Sequence, residues 1–296
     1  MTRHSNSHGA LPARRSLIPS AIAVAAACVA ATACSAPERE PGFDRMEFAN
    51  QPELDDGVVE SAVEVIQGRV RPRPAGSPKA QKEALVVLPA PRCANQSDRE
   101  GPSLSVGGVT SGALESPCRI TSAGPGYIST NKNGYGTDET VALLQWAAGQ
   151  MAAQFPGSPP LVIGAISKAE GGFYPPHKSH QSGRDVDIGF PRTDHGAKQF
   201  QPTDASTLDT ERLWSLLDAW LASGRLGFVF MDYDLQAALY QDLLDHGFSE
   251  RQLAPIFQYP APKSAPQGLI RHAAGHADHL HVRFRCPETD KPGCVD

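Results

Sequence analysis

An α+β fold is what this sequence predicts, on three observations. Two stretches repeat apolar residues at helical spacing, several short runs are continuously apolar or alternate like strands, and helices run between those strands. With 40 % hydrophobic residues, the 296-residue chain is able to bury a core. Its 27 Gly and 26 Pro make it rich in loops.

The first element is not structural. Arg14 and Arg15 precede an apolar run, Leu17 to Ala33, that ends in Ala31-Thr32-Ala33-Cys34. A basic start, an apolar run of about 15 residues and small residues before a cut site predict a secretory signal over residues 1–33. A membrane span needs about 20 residues. The ending on Cys34 resembles a bacterial lipoprotein signal, in which that cysteine becomes the lipidated first residue, although Ala31 stands where Leu is usual. Arg14-Arg15-Ser16-Leu17-Ile18 weakly resembles a twin-arginine signal, which leaves the export route open. Residues 34–83, acidic and then Pro-rich at Arg71–Pro78, read as a lipid-anchored flexible tether with one candidate helix over Val58–Gln67. A single folded domain is expected over residues 84–296.

Within it, Thr137-Asp138-Glu139 opens a helix with Val141, Leu144, Ala148, Met151 and Phe155 at helical spacing, stopped by Pro156. Leu161–Ile166 reads as a buried strand. A second helix is expected over Asp209–Ala222, with Leu213, Leu217, Trp220 and Leu221 inward and Gly224 as its stop. Leu226–Met231 is strand-like, and a helix over Leu235–Asp245 ends near Gly247. In the last strand, His279–Arg285, Leu280, Val282 and Phe284 face one side while His279, His281, Arg283 and Arg285 face the other. Trp146, Trp214 and Trp220 sit at helical spacings and read as core rather than as a sugar platform.

Charge narrows the partners. The chain has 27 basic and 32 acidic residues, net −5; without the three arginines of residues 1–33, 24 remain against 32, net −8. That balance excludes a basic nucleic-acid footprint. Of six cysteines, Cys28 leaves with the signal and Cys34 carries the anchor. The four that remain read, in an exported protein, as disulfides Cys93–Cys118 and Cys286–Cys294. Zinc thiolate ligation competes, but no Cys-x-x-Cys pair exists.

Five histidines crowd into two short segments: His177 and His180, then His276, His279 and His281. Two positions apart on a strand, His279 and His281 face one cavity. In Asp185-Val186-Asp187-Ile188 the same alternation puts both carboxylates opposite the core, and Gly183 permits a tight return of His180 toward Asp187. Two His and one Asp leave an open position on zinc, where a water's pKa falls to about 7. The same set also suits non-haem Fe(II). Arg283 reads either as a contact for a substrate carboxylate or as a structural pair with Asp185 or Asp278, and Arg184 as a loop salt bridge. Asp185 and Asp278 either orient imidazoles or are simply solvated. Ser111 lacks a Gly-x-Ser-x-Gly context, so serine catalysis is rejected.

His180-x6-Asp187 followed by His279-x-His281 resembles the zinc peptidases that include D-alanyl-D-alanine carboxypeptidases and dipeptidases. The fuller stretches Pro175–Ile188 and His276–Arg283, with Cys286 and Cys294 close behind, resemble the penicillin-insensitive murein endopeptidases over about residues 100–296. The resemblance implies one zinc metallopeptidase domain, with a small, mainly antiparallel sheet flanked by helices. It makes His180, Asp187 and His281 the zinc ligands and His279 the base. His177 and His276 match further site histidines, behind the ligands or on a second metal, for which Asp194 and His195 are candidates only by proximity. It implies hydrolysis of the D-alanyl–diaminoacyl crosslink in peptidoglycan stem peptides, and the N-terminal signal with Cys34 adds an expected place in the periplasm, anchored to the outer membrane. The expected membrane contact is the N-terminal lipid alone. The alternatives are a D-Ala-D-Ala carboxypeptidase or dipeptidase on the same fold, and a non-catalytic zinc- and wall-binding lipoprotein. Oligomeric state is left open.

Overall fold

The apolar faces read from the sequence meet on one side of a seven-stranded sheet. The structure is a computed structural model that describes residues 86–194 and 199–296. The expected signal and tether, the domain start at 84, the Val58–Gln67 helix, Cys28, Cys34 and His195 lie outside the described residues.

A hairpin comes first: β1 (Leu104–Gly108) pairs antiparallel with β2 (Ser111–Glu115). There follow β3 (Cys118–Arg119), β4 (Ala123–Gly124), β5 (Tyr127–Ser129) and β6 (Tyr135–Gly136), β3 pairing with β6 in a second small ribbon. Helix α1 spans Asp138–Gln154, with Thr137 capping it by accepting the Thr140 N–H at 3.0 Å. Next are β7 (Leu161–Ile163), β8 (Asp185–Gly189), α2 (Thr210–Ala222, capped by Asp209), β9 (Leu226–Met231) and α3 (Tyr233–Asp245). The short α4 (Glu250–Leu253), β10 (Ile270–His272) and β11 (His279–Phe284) complete the chain.

The large sheet has the order β10-β9-β11-β8-β7-β5-β4. Its ladders are antiparallel except β10–β9 and β5–β7, so the α+β class with a mainly antiparallel sheet holds. Val186, Ile188, Leu280, Val282 and Phe284 from the sheet join Leu144, Met151, Leu217, Trp220 and Leu239 from the helices in one buried cluster. Trp220 is fully buried and donates its indole N–H to the Leu143 carbonyl, while Trp146 and Trp214 pack on the same core, as expected. Phe228, Phe230 and Ala273 form a separate small cluster.

Three boundaries differ from expectation. The strand expected over Leu161–Ile166 ends at Ile163, although Gly164 still donates to the Asp187 carbonyl. Helix α3 starts two residues early because Asp232 caps it, accepting the Asp234 N–H at 2.9 Å. The final strand stops at Phe284, where its register with β9 shifts. Both disulfides form as paired, Cys93–Cys118 and Cys286–Cys294. Among the described residues no helix is long and apolar enough to cross a membrane.

Candidate metal centre

β8 and β11 are antiparallel neighbours with His281 opposite Asp187 and Arg283 opposite Asp185. Residues of opposite parity on the same strands feed the core, so the polar set projects together from the other face. His180 arrives from the preceding loop. Its φ of +66° is unusual for a residue with a side chain, and Gly183 at +75° completes the tight return. Two bonds hold His180 in that conformation: its N–H donates to Asp185 Oδ2 at 3.1 Å, and its Nδ1 lies 2.7 Å from the Ile166 carbonyl.

That carbonyl can only accept, so Nδ1 carries the hydrogen and Nε2 presents a lone pair. The His180 lone pair points at Asp187. His180 Nε2, His281 Nδ1 and Asp187 Oδ1 form a triangle with all three sides 3.2 Å. Ligands of a tetrahedral zinc at about 2.0–2.1 Å stand about 3.3 Å apart, so the triangle has the right size. All three residues are buried, and Asp187 Oδ1 takes no well-formed hydrogen bond. A buried carboxylate oxygen facing imidazole nitrogens is costly unless a proton or a metal cation lies between them. The donor set therefore fits a metal ion.

The local charges agree. Burial opposes ionisation of Asp187, yet His180 and His281 hold it well below the usual carboxylate range. Asp185, fully buried, is held down in the same way by Arg283 and His281. Burial lowers the pKa of His281, but Asp185 and Asp187 outweigh it and lift it to about 9. Arg283 meets the charge of Asp185, whereas Asp187 faces only imidazoles among the described residues.

His279 Nδ1 lies 2.6 Å from Asp278 Oδ1, and its Nε2 lies 3.9 Å from Asp187 Oδ1. Asp278 therefore orients an imidazole, one of its two expected roles. His177 Nδ1 lies 3.6 Å from Asp187 Oδ2, and His177, His180 and Asp187 also present donor atoms within 4.8 Å of one another, a group that could hold a metal ion. His276 packs beside His279, with ring centres 4.9 Å apart and planes tilted by 41°. Burial, then neighbouring imidazoles, lowers the pKa of both His177 and His276 to about 4. Both are neutral at pH 7.

Arg283 takes the structural alternative. Its Nε lies 2.8 Å from Asp185 Oδ1 and the residue is 8 % exposed, which commits the guanidinium to a buried ion pair rather than to a substrate. Arg184 is a loop salt bridge, as expected, and a buried one: it is 1 % exposed, pairs with the Asp296 carboxylate at 2.9 Å and bonds the Phe284 and Val295 carbonyls. It ties the end of β11 to the last residues. Asp194, a proximity candidate for a second metal, pairs with Arg192 at 2.6 Å.

Sequence reasoning missed three neighbours. Tyr174 packs its ring 4.7 Å from His177 and its hydroxyl accepts from Asn133. Phe200 stacks on His279, and Arg271 lies on the same sheet face through Phe228 and Phe230. Only Phe200 left a trace in the sequence. Gly164 and Gly189, glycines at the ends of apolar runs, signal a close approach, because a Cβ there would meet Phe200 at 2.5 and 3.1 Å.

Among curated proteins no match was found. A family match covers residues 105–219, including His177, His180, Asp185 and Asp187, whereas His276, His279 and His281 lie beyond it and join the site through the β8–β11 ladder. The family matched over that stretch is the one resembled by the two histidine motifs, the penicillin-insensitive murein endopeptidases.

Proposed function

We propose that this chain is a zinc-dependent murein endopeptidase that hydrolyses the D-alanyl–diaminoacyl crosslink of peptidoglycan. The observation that carries the proposal is the 3.2 Å triangle of His180 Nε2, Asp187 Oδ1 and His281 Nδ1, within a fold region matched to murein endopeptidases. These three residues would hold a zinc ion, which would supply Lewis acidity for the scissile carbonyl and for a water.

The chain's own residues do the rest. Asp278 accepts the Nδ1 hydrogen of His279, leaving Nε2 as a lone pair on the side of Asp187. Nε2 takes the proton of the attacking water, and Asp278 stabilises the imidazolium that results. The same proton then passes to the departing amine of the diamino acid as the amide bond breaks. Asp185 sits beneath, fixing His180 through its backbone and lying 3.4 Å from His281 Nε2. In this reading the signal of residues 1–33 exports the protein to the periplasm, and lipid on Cys34 anchors it to the outer membrane.

Mass spectrometry of crosslinked muropeptides incubated with the protein, with and without chelator, tests the proposal. The expected products are monomers, formed only without chelator. Release of terminal D-alanine alone would assign a carboxypeptidase instead. Metal analysis distinguishes zinc from iron.

A further inference from the structure

Arg271 on β10 is in register with Phe230 on β9, Phe230 with His281 on β11, and His281 with Asp187 on β8. These four positions form one row across four adjacent strands. Ring contacts make the row continuous: Phe228 and Phe230 lie 5.8 Å apart, Phe230 and His281 5.6 Å, and the Arg271 guanidinium sits 4.3 Å over Phe228. Arg271 therefore shares the face that carries the metal centre. Strands about 4.8 Å apart put its Cα roughly 10 Å from that of His281. Two extended peptide residues span about 7 Å, and the arginine's own length closes the difference.

The partners of this arginine set it apart. Arg184 meets Asp296, Arg225 meets Glu139 and Arg283 meets Asp185. Arg271 meets no carboxylate among the described residues. Its Nε donates to the Gly268 carbonyl at 2.9 Å, and its two terminal nitrogens have no acceptor among the described residues. Burial alone pulls its pKa down to about 10, with no carboxylate opposing. The residue is partly exposed, so its guanidinium is not sealed in the core.

A planar guanidinium held by one bond and one ring, with no acceptor for its terminal N–H groups among the described residues, is shaped for a bidentate anion. We propose that Arg271 is a specificity-determining residue that binds a carboxylate of the stem peptide one or two residues from the scissile bond. The inference rests on the murein reading. That carboxylate belongs either to the diamino acid's side chain or to a peptide's C-terminus.

The test compares four crosslinked muropeptides, free or amidated at each of these two carboxylates, on wild type and Arg271→Ala. Wild type is expected to show a KM roughly 10- to 100-fold lower for the free acid at one of the two positions, with kcat nearly unchanged. Arg271→Ala removes that preference while keeping metal content and thermal midpoint, and Arg271→Lys restores part of it. The position whose amidation mimics the substitution names the carboxylate. Equal loss on free and amidated substrates, or no loss, overturns the proposal. The same ligands titrated calorimetrically into His279→Ala, with and without Arg271→Ala, read the preference without cleavage. A failure of the endopeptidase reading is thereby distinguished from a failure of the Arg271 assignment.

Discussion

Phe200 lies flat on the imidazole of His279, with ring centres 5.0 Å apart and planes 13° from parallel. The phenyl ring is received by Gly164 and Gly189 on one side and presses the histidine on the other. With Asp278 fixing Nδ1, the stack removes the remaining freedom of the ring. Phe200→Ala should lower kcat about tenfold or more with zinc content unchanged, since small misplacements of a reacting group are costly. Gly164→Ala should do the same indirectly by displacing Phe200, and Phe200→Tyr should restore activity. Steady-state kinetics beside metal analysis decides, and loss of metal in Phe200→Ala would count against a positioning role.

The proposed mechanism gives His279 and His281 different roles although they neighbour each other. His279→Ala should abolish cleavage while the protein still binds zinc. His281→Ala should lose both. Asp278→Asn should keep the metal and lose about 10- to 100-fold in rate, as expected for a group that orients a reacting histidine. Normal turnover by His279→Ala would refute its assignment.

Removing the metal should loosen the fold. The triangle around Asp187 Oδ1 gathers three metal-binding atoms in a buried place, and a cation that binds only the folded state stabilises it by mass action. The thermal midpoint should fall on chelation and return with stoichiometric zinc. Asp187→Asn should show a low midpoint that zinc does not raise.

Arg283→Ala should destabilise the protein by about 3–5 kcal/mol, because it strands the buried Asp185 carboxylate. Urea unfolding measures this directly. The double variant Arg283→Met, Asp185→Leu should regain much of the loss. Had Arg283 served mainly to grip substrate, the single variant would keep its stability and change only KM.

The metal-free chain should be most stable near pH 6.5. His177 and His276, lowered to about 4 by burial and their neighbours, are neutral when folded but take up protons when unfolded below about 6.5. Their effect is loss of stability as pH falls from 6.5 toward 4. His281, raised to about 9 by its carboxylates, works in the opposite sense: its stabilisation is full below 6.5 and fades as pH rises through 9. Urea midpoints at pH 5, 6.5 and 8.5 in chelator should peak in the middle, and a monotonic trend would argue against this balance.

The parts legible in the sequence are those whose pattern is local. Alternation in Asp185–Ile188 and His279–Phe284 fixed which side chains share a face, and helical spacing with caps at Thr137 and Asp209 located two helices. The β1–β2 hairpin went unread because its strands are short and half-exposed. The pairing of Arg283 with Asp185 stayed open until register showed them opposite. Arg271 was beyond reach for another reason, and Phe200 nearly so, with only Gly164 and Gly189 hinting at it. Phe200 meets His279, and Arg271 meets Phe228, through packing between segments far apart in sequence, which no periodicity encodes.

One last consequence concerns β11. Its even-numbered residues, Leu280, Val282 and Phe284, lie in the core, and its odd-numbered residues, His279, His281 and Arg283, lie at the candidate metal centre. Slipping this strand by a single residue would drive imidazoles into oil and leucine onto the metal, so folding and chemistry would fail in one stroke. Just past the strand, the Cys286–Cys294 bridge and the grip of Arg184 on Asp296 act as a bookend against that slip. Chemical reduction would then endanger catalysis without touching a single ligand.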